Sequence, residues 1–199
     1  PQLDPWRSTN MDIGAEWYFA PSGLVSLAVF RMEIDSFIET GSTMMGLPDG
    51  DGVVRRDVVV TSEVNGNGGT ISGVEFSYQQ GFDFLPGFLS GFGAQLNYTY
   101  APSESGNEDF AGKTLPIVDN SKESGNAVLW YEKSGFQFRI AANYRSKRLA
   151  GNGNVFGIGT LPIWTEGTTY IDLSASYDLN ENISVYASGS NMTEEYENN

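Results

Sequence analysis

Cysteine and histidine are absent from the 199 residues, which removes disulfide frameworks, thiol nucleophiles, imidazole bases and the commonest zinc ligands together. Most enzyme chemistries lose their usual groups with them, and no catalytic residue and no cofactor is assigned. Basic residues are scarce, 11 Lys and Arg against 25 Asp and Glu, and the net charge of −14 repels a phosphate backbone, so nucleic acid is not an expected partner. Long apolar runs are missing as well. The best, Leu24 to Phe30, is broken by Ser26 and falls far short of the ~18 residues that a membrane helix needs. A basic and apolar leader is also missing: the chain starts at Pro1 and stops in a polar stretch at Asn199, so it reads as a fragment.

What is present points to strands. Glycine, at 24 residues, is well above its average share of about 7%, and aromatics reach 13%, a pairing typical of all-β chains. Eight segments alternate apolar and polar residues with a period of two: Thr9 to Phe19, Leu24 to Ile38, Gly73 to Phe82, Phe92 to Tyr100, Ser124 to Glu132, Phe136 to Tyr144, Thr169 to Leu179 and Ile183 to Gly189. In Phe136 to Tyr144 the apolar face is Phe136, Phe138, Ile140, Ala142 and Tyr144, and the other face is Gln137, Arg139, Ala141 and Asn143. Leu24 to Ile38 has no clear phase. An apolar helical period is missing throughout, which predicts little helix.

The connections alternate strictly between short and long. Ala20 to Gly23, Asp83 to Gly91, Lys133 to Gly135 and Asn180 to Asn182 are short, whereas Glu39 to Thr70, Ala101 to Lys122 and Leu149 to Thr168 are long. An antiparallel meander with short turns at one end and long loops at the other is the layout of an up-and-down outer-membrane β-barrel. Aromatics gather near the short-turn end (Trp17, Phe19, Phe82, Phe84, Phe88, Phe92, Trp130, Tyr131, Phe136, Phe138, Tyr177) and again near the long-loop end (Tyr98, Tyr100, Tyr144, Tyr170), as two interfacial belts require. Eight steps of about 3.3 Å from Phe136 to Tyr144, at a tilt of about 40°, span roughly 20 Å, close to the ~25 Å apolar band of such barrels. A soluble β-sandwich would show the same alternation, but it would place Val, Ile and Leu at mid-strand, where several segments here carry Ala or Gly.

The motifs in order resemble the C-terminal barrel part of TonB-dependent receptors, especially the proteobacterial group linked to carbohydrate uptake. They are Pro5-Trp6-Arg7-Ser8-Thr9-Asn10 leading into Asp12-Ile13-Gly14-Ala15-Glu16-Trp17-Tyr18-Phe19, Asn65-Gly66 before Gly73-Val74-Glu75, and Phe84-Leu85-Pro86 before Gly91-Phe92-Gly93. Asn97-Tyr98-Thr99-Tyr100, Asn120-Ser121-Lys122, Trp130-Tyr131-Glu132, Asn143-Tyr144-Arg145-Ser146 and Gly189-Ser190-Asn191-Met192-Thr193-Glu194-Glu195 follow. The resemblance implies that residues 1–199 are part of a larger barrel of about twenty-two strands, with the plug, the TonB box, the first strands and the closing strand lying outside the chain. It also implies an outer-membrane receptor that imports a scarce solute, an oligosaccharide or a siderophore. Its expected partners are membrane lipid, lipopolysaccharide, that solute, and TonB acting through the plug. Two other readings are a small eight-stranded anchor or adhesin and a secreted glycan-binding sandwich.

Four residues are candidate ligand contacts. Arg139, Arg145 and Asp172 are predicted to point inward from adjacent strands, toward plug, solute or each other; Trp164, beside Pro162 in a long loop, belongs to no predicted strand and has the flat face that stacks on sugars. Arg55-Arg56 suits a phosphate or a solvated loop. Asp49-Gly50-Asp51-Gly52 lacks the further oxygens of a calcium loop and reads as a turn, so no metal is assigned. Asn65-Gly66-Asn67-Gly68-Gly69 has no following Lys or helix, so its glycines are expected to supply positive φ in turns rather than to cradle phosphate. Asp12, Glu16, Glu33 and Asp35 are what a polar pore wall needs without catalysis.

Overall fold

Period-two alternation becomes one long antiparallel meander. The computed structural model describes residues 3–155 and 159–198, with backbone alone for residues 40, 55–57, 154–155 and 159–160. Its strands are β1 (Arg7–Ala20), β2 (Gly23–Pro48), β3 (Val54–Gly81), β4 (Phe92–Tyr100), β5 (Ser103–Ser105), β6 (Glu123–Lys133), β7 (Phe136–Arg145), β8 (Arg148–Val155), β9 (Gly159–Thr165), β10 (Thr168–Asn180) and β11 (Ile183–Gly189). Hydrogen bonding orders them β1-β2-β3-β4-β6-β7-β10-β11, with β5 added to β3 and β8-β9 forming a separate hairpin. All eight predicted strands are present and the fold is all-β, but the strict alternation of short and long connections fails between β2 and β3, which residues 49–53 alone join. Among the described residues no helix is long and apolar enough to cross a membrane, so any crossing is made by strands.

Three regions differ from the sequence reading. β2 and β3 continue to a Pro48↔Val54 pair, so most of Glu39 to Thr70 is a tall hairpin rather than a loop. Thr43, Val58, Val59, Val60 and Thr61 are β-branched and fit an extended, half-exposed surface. Asn65-Gly66-Asn67-Gly68-Gly69 lies inside β3, and the glycines with positive φ among the described residues are Gly52, Gly87, Gly112 and Gly135. The reason for glycine here is close approach: a Cβ on Gly68 would sit 2.0 Å from the Ile34 carbonyl oxygen, and one on Gly66 2.6 Å from the Phe37 ring. Leu149 to Thr168 holds the β8-β9 hairpin, which makes Trp164 a strand residue paired with Leu149.

The turns follow local chemistry. Ser134 (φ 54°) and Gly135 (φ 77°) are both left-handed, the two-residue geometry that matches strand twist. Asp49 and Asp109 build identical turns. Each carboxylate accepts the N–H groups two and four residues on, at 2.9–3.0 Å, and each is followed by a left-handed glycine, Gly52 or Gly112. The Asp49 loop is thus an ordinary turn repeated elsewhere in the chain.

Register assigns every side chain to a face. One row reads Trp17-Val25-Tyr78-Leu96-Ala127-Ala142-Ile171, and its neighbour reads Glu16-Ser26-Ser77-Asn97-Asn126-Asn143-Tyr170. The first face is apolar and open to its surroundings: Leu27 is 51% exposed, Leu129 40% and Val185 50%. A continuous apolar surface of that extent is the face a barrel turns to lipid. Phe92, Tyr131, Phe136, Phe138 and Tyr177 gather at its short-turn edge, with Phe92 and Tyr131 edge to face at 4.8 Å, while Tyr98, Tyr100 and Tyr144 lie at the other edge. Trp130 departs from the predicted belt. It pairs with Gly93 and Arg139 on the polar face, its indole covering the glycine, and Tyr170, opposite Asn143, departs from the other belt in the same way.

Candidate functional site

Above the Ile13-Val29-Val74-Tyr100 row the two faces exchange character. The rows on the formerly apolar side become Met11-Arg31-Ser72 and Thr9-Glu33-Thr70-Glu104, with Arg31 paired to Glu33 at 2.8 Å. The rows on the formerly polar side become Asn10-Met32-Ile71-Ser103 and Ser8-Ile34-Gly69-Ser105, preceded by Phe30 opposite Gly73. Apolar side chains point inward where the outer wall has become polar. This inversion explains why Leu24 to Ile38 lacks a phase: Val25, Leu27 and Val29 serve one face, and Phe30, Met32 and Ile34 serve the other.

The inward apolar rows end in a pocket of about 300 Å³ lined by Trp6, Ile34, Phe37, Glu39, Gly68, Gly69, Ser105, Asn107, Pro116, Ile117, Val118, Leu149 and Asn152. Its walls come from five separate segments. A bulge in the β1-β2 pairing at Asp35, between the Arg7↔Ser36 and Ser8↔Ile34 pairs, offsets the strands so that Phe37 continues the inward row. Trp6 meets Phe37 edge to face, ring centroids 6.0 Å apart. The segment carrying Trp6 is strapped to the tall hairpin: Asp4 N–H donates to Asn65 Oδ1 at 2.8 Å, Asn65 Nδ2 donates to the Asp4 carbonyl at 2.9 Å, and Ser36 Oγ donates to the Pro5 carbonyl at 2.8 Å. Opposite, residues 101–122 pair with β3 through β5 and fold back on themselves through Ser105 N–H to the Leu115 carbonyl, Leu115 N–H to the Asn107 carbonyl and Ile117 N–H to Ser103 Oγ. Leu115 and Leu149 are buried to 3% and 1% exposure, the densest packing of the long-loop end.

A cluster of charges braces this loop layer. Arg148, with a side chain only 8% exposed, donates Nε to Asp119 and Nη2 to Glu197, both at 2.8 Å, and Asp119 N–H donates to the Leu149 carbonyl. Burial opposes the Arg148 charge, but the hydrogen bonds and charges of Glu197 and Asp119 outweigh it and hold the guanidinium above its ordinary pKa. The arrangement ties residues 101–122, the β8-β9 hairpin and the segment after β11 at one point.

The four predicted contacts are spread over this scaffold. Arg145 does point inward, but its guanidinium is spent on Asp119, at 3.2 Å and through the Asp119 carbonyl, and on Ser121 at 2.8 Å. Asp172 points inward and accepts the Asn191 N–H at 2.9 Å. Arg139 shares that face without forming an ion pair with either, and with Asp172, Ser174 and Ser188 it lines a cavity of about 280 Å³. Trp164 has one face covered by Lys147, whose Nζ is 5.4 Å from the ring centre and is also paired to Glu166 at 2.8 Å. The side chains of Arg55 and Arg56 lie outside the described residues. Sequence reasoning missed Trp6 and Phe37. The absent phase of Leu24 to Ile38 was their only signal.

Comparison with known proteins agrees with the geometry. A family model described as TonB dependent receptor-like, beta-barrel matches residues 1–192. No curated protein matches the chain. Seven solved protein chains do. Among them is the ferric-catecholate import receptor Fiu of E. coli K12 in its closed form, 18% identical, with a TM-score of 0.64 over 96% of this chain. The chain spans 24% of that receptor's length.

Proposed function

Since the chain belongs to the TonB-dependent receptor-like β-barrel family, whose members are outer-membrane transporters rather than enzymes, we propose that it forms wall and mouth of a receptor importing a scarce solute, an oligosaccharide or a siderophore. In this reading TonB supplies the energy by acting on a plug elsewhere in the protein, and the remaining strands complete the barrel. The outward belt meets lipid, and the polar rim above it meets lipopolysaccharide. Arg139 and Asp172 line the solute path below the mouth. Arg145 and Trp164 act indirectly, by holding Asp119 and by packing the β8-β9 hairpin.

The observation that carries the reading is the exchange of faces. A wall built only to anchor a protein gains nothing from turning Phe30, Met32, Ile34 and Phe37 inward above the bilayer, whereas a receptor needs a concave, partly apolar surface there. The ends of the strand path, β1 and β11, do not pair with each other among the described residues, which disfavours a closed eight-stranded anchor. A single sheet with an exposed apolar side disfavours a soluble sandwich. At 18% identity the likeness to Fiu concerns the fold and does not choose between the two solutes.

Uptake of radiolabelled oligosaccharides and of chelated ⁵⁵Fe by cells with and without the receptor, and with and without TonB, tests the proposal. Accumulation of one solute that disappears in both deletions is expected. Accumulation that persists without TonB would refute energy-coupled import.

A further inference from the structure

We propose that the Trp6-Phe37 pocket holds one ring of an uncharged saccharide, its apolar face on the aromatic pair and its hydroxyls on Glu39, Asn107 and Asn152. This rests on the import reading and adds to it a site and a ligand class. The first argument is charge. Among the described residues no Lys or Arg lines the pocket, and Glu39 does. Of the cations around the loop layer, Arg145 pairs with Asp119, Arg148 with Asp119 and Glu197, and Lys147 with Glu166. An anionic iron chelate would bring negative charge beside the Glu39 carboxylate with no guanidinium in the pocket lining to receive it, and anion recognition depends on such donors.

The second argument is the mixture of surfaces. Trp6 and Phe37 meet edge to face in the pocket wall, and Leu149 extends the apolar surface. A pyranose presents a patch of C–H groups on one side and hydroxyls around its rim, and this pocket presents the complement. Glu39 accepts only, whereas the amides of Asn107 and Asn152 donate and accept. Among the described residues the Glu39 and Asn152 side chains have no partner, and the Asn107 side chain is engaged only through its Oδ1, by Asn67 Nδ2 at 3.1 Å. A volume of about 300 Å³ is at the lower end of small-molecule sites, which suits a single ring of a longer chain projecting outward.

The experiment uses the full-length receptor in detergent. Titration calorimetry would be run with neutral oligosaccharides of glucose, xylose and N-acetylglucosamine and, separately, with a ferric tri-catecholate. Binding of at least one neutral series and none of the catecholate is expected. Trp6→Ala should weaken that binding about tenfold or more, Trp6→Phe should recover most of it, and Glu39→Gln should weaken it several-fold. Heat-modifiable migration on gels verifies that each variant has a folded barrel. Catecholate binding that Trp6→Ala abolishes would overturn the ligand class while leaving import intact. Saccharide binding indifferent to Trp6→Ala would overturn the site, and failure of every saccharide would overturn both. Failure of import itself shows separately, as uptake that does not need TonB.

Discussion

Below the Val29-Val74-Tyr100 row the sheet turns its apolar side outward, and above it the same strands turn their apolar side inward. The backbone and its period of two do not change across that line. The solvent does. In the proposed receptor hydrocarbon lies outside the band and polar groups line the lumen, while at the mouth water lies outside and the enclosed surface is free to be apolar. Side-chain direction is set by strand geometry, and which direction takes the apolar residue is set by what stands on each side.

That contrast is easiest to break with a charge. Ile140→Arg, on the outer face in mid-band, should lower the unfolding free energy in phospholipid by about 2–4 kcal/mol; a loss under about 1 kcal/mol would mean that this face does not meet lipid. Arg148→Ala leaves Glu197 without its cation and Asp119 with Arg145 alone. Because both carboxylates are largely exposed, the cost should be about 1–2 kcal/mol and local. Hydrogen exchange should speed up at Asp119 and in residues 148–153 and stay slow in β6 and β7; acceleration in those strands would make the brace part of the wall. Asp109→Ala should cost about 0.5–1 kcal/mol of loop stability, seen as faster exchange at the Ala111 and Lys113 amides. Thr70→Arg, on the outer face but above the band, should stay within about 0.5 kcal/mol of the parent. A loss approaching that of Ile140→Arg would move the membrane boundary upward.

Much of the wall was legible in the residues. Phe136 to Tyr144 and Thr169 to Leu179 alternate without interruption because each face meets one environment for its whole length, and the Ser134-Gly135 turn carries its own conformational preference. Trp130 was misplaced because position along a strand indicates depth but not face, and only pairing with Gly93 and Arg139 shows that it looks inward. Arg139, Arg145 and Asp172 were placed on the correct face, yet the engagement of Arg145 depends on Asp119, which reaches it from a different connection. Trp6 and Phe37 were not visible as a pair. One precedes the first strand, and the other follows a bulge at Asp35 that breaks the alternation on which the reading depended.

The sequence by itself determined the strands, their short turns and the two faces within the band, because these depend on contacts between near neighbours and on a uniform solvent on each side. The tertiary structure alone decided where the faces exchange, how far β2 and β3 extend, and which five segments meet around the Trp6-Phe37 pocket. Those outcomes follow from strand register and loop folding, and the residues that meet there, from Trp6 to Asn152, lie far apart in the chain.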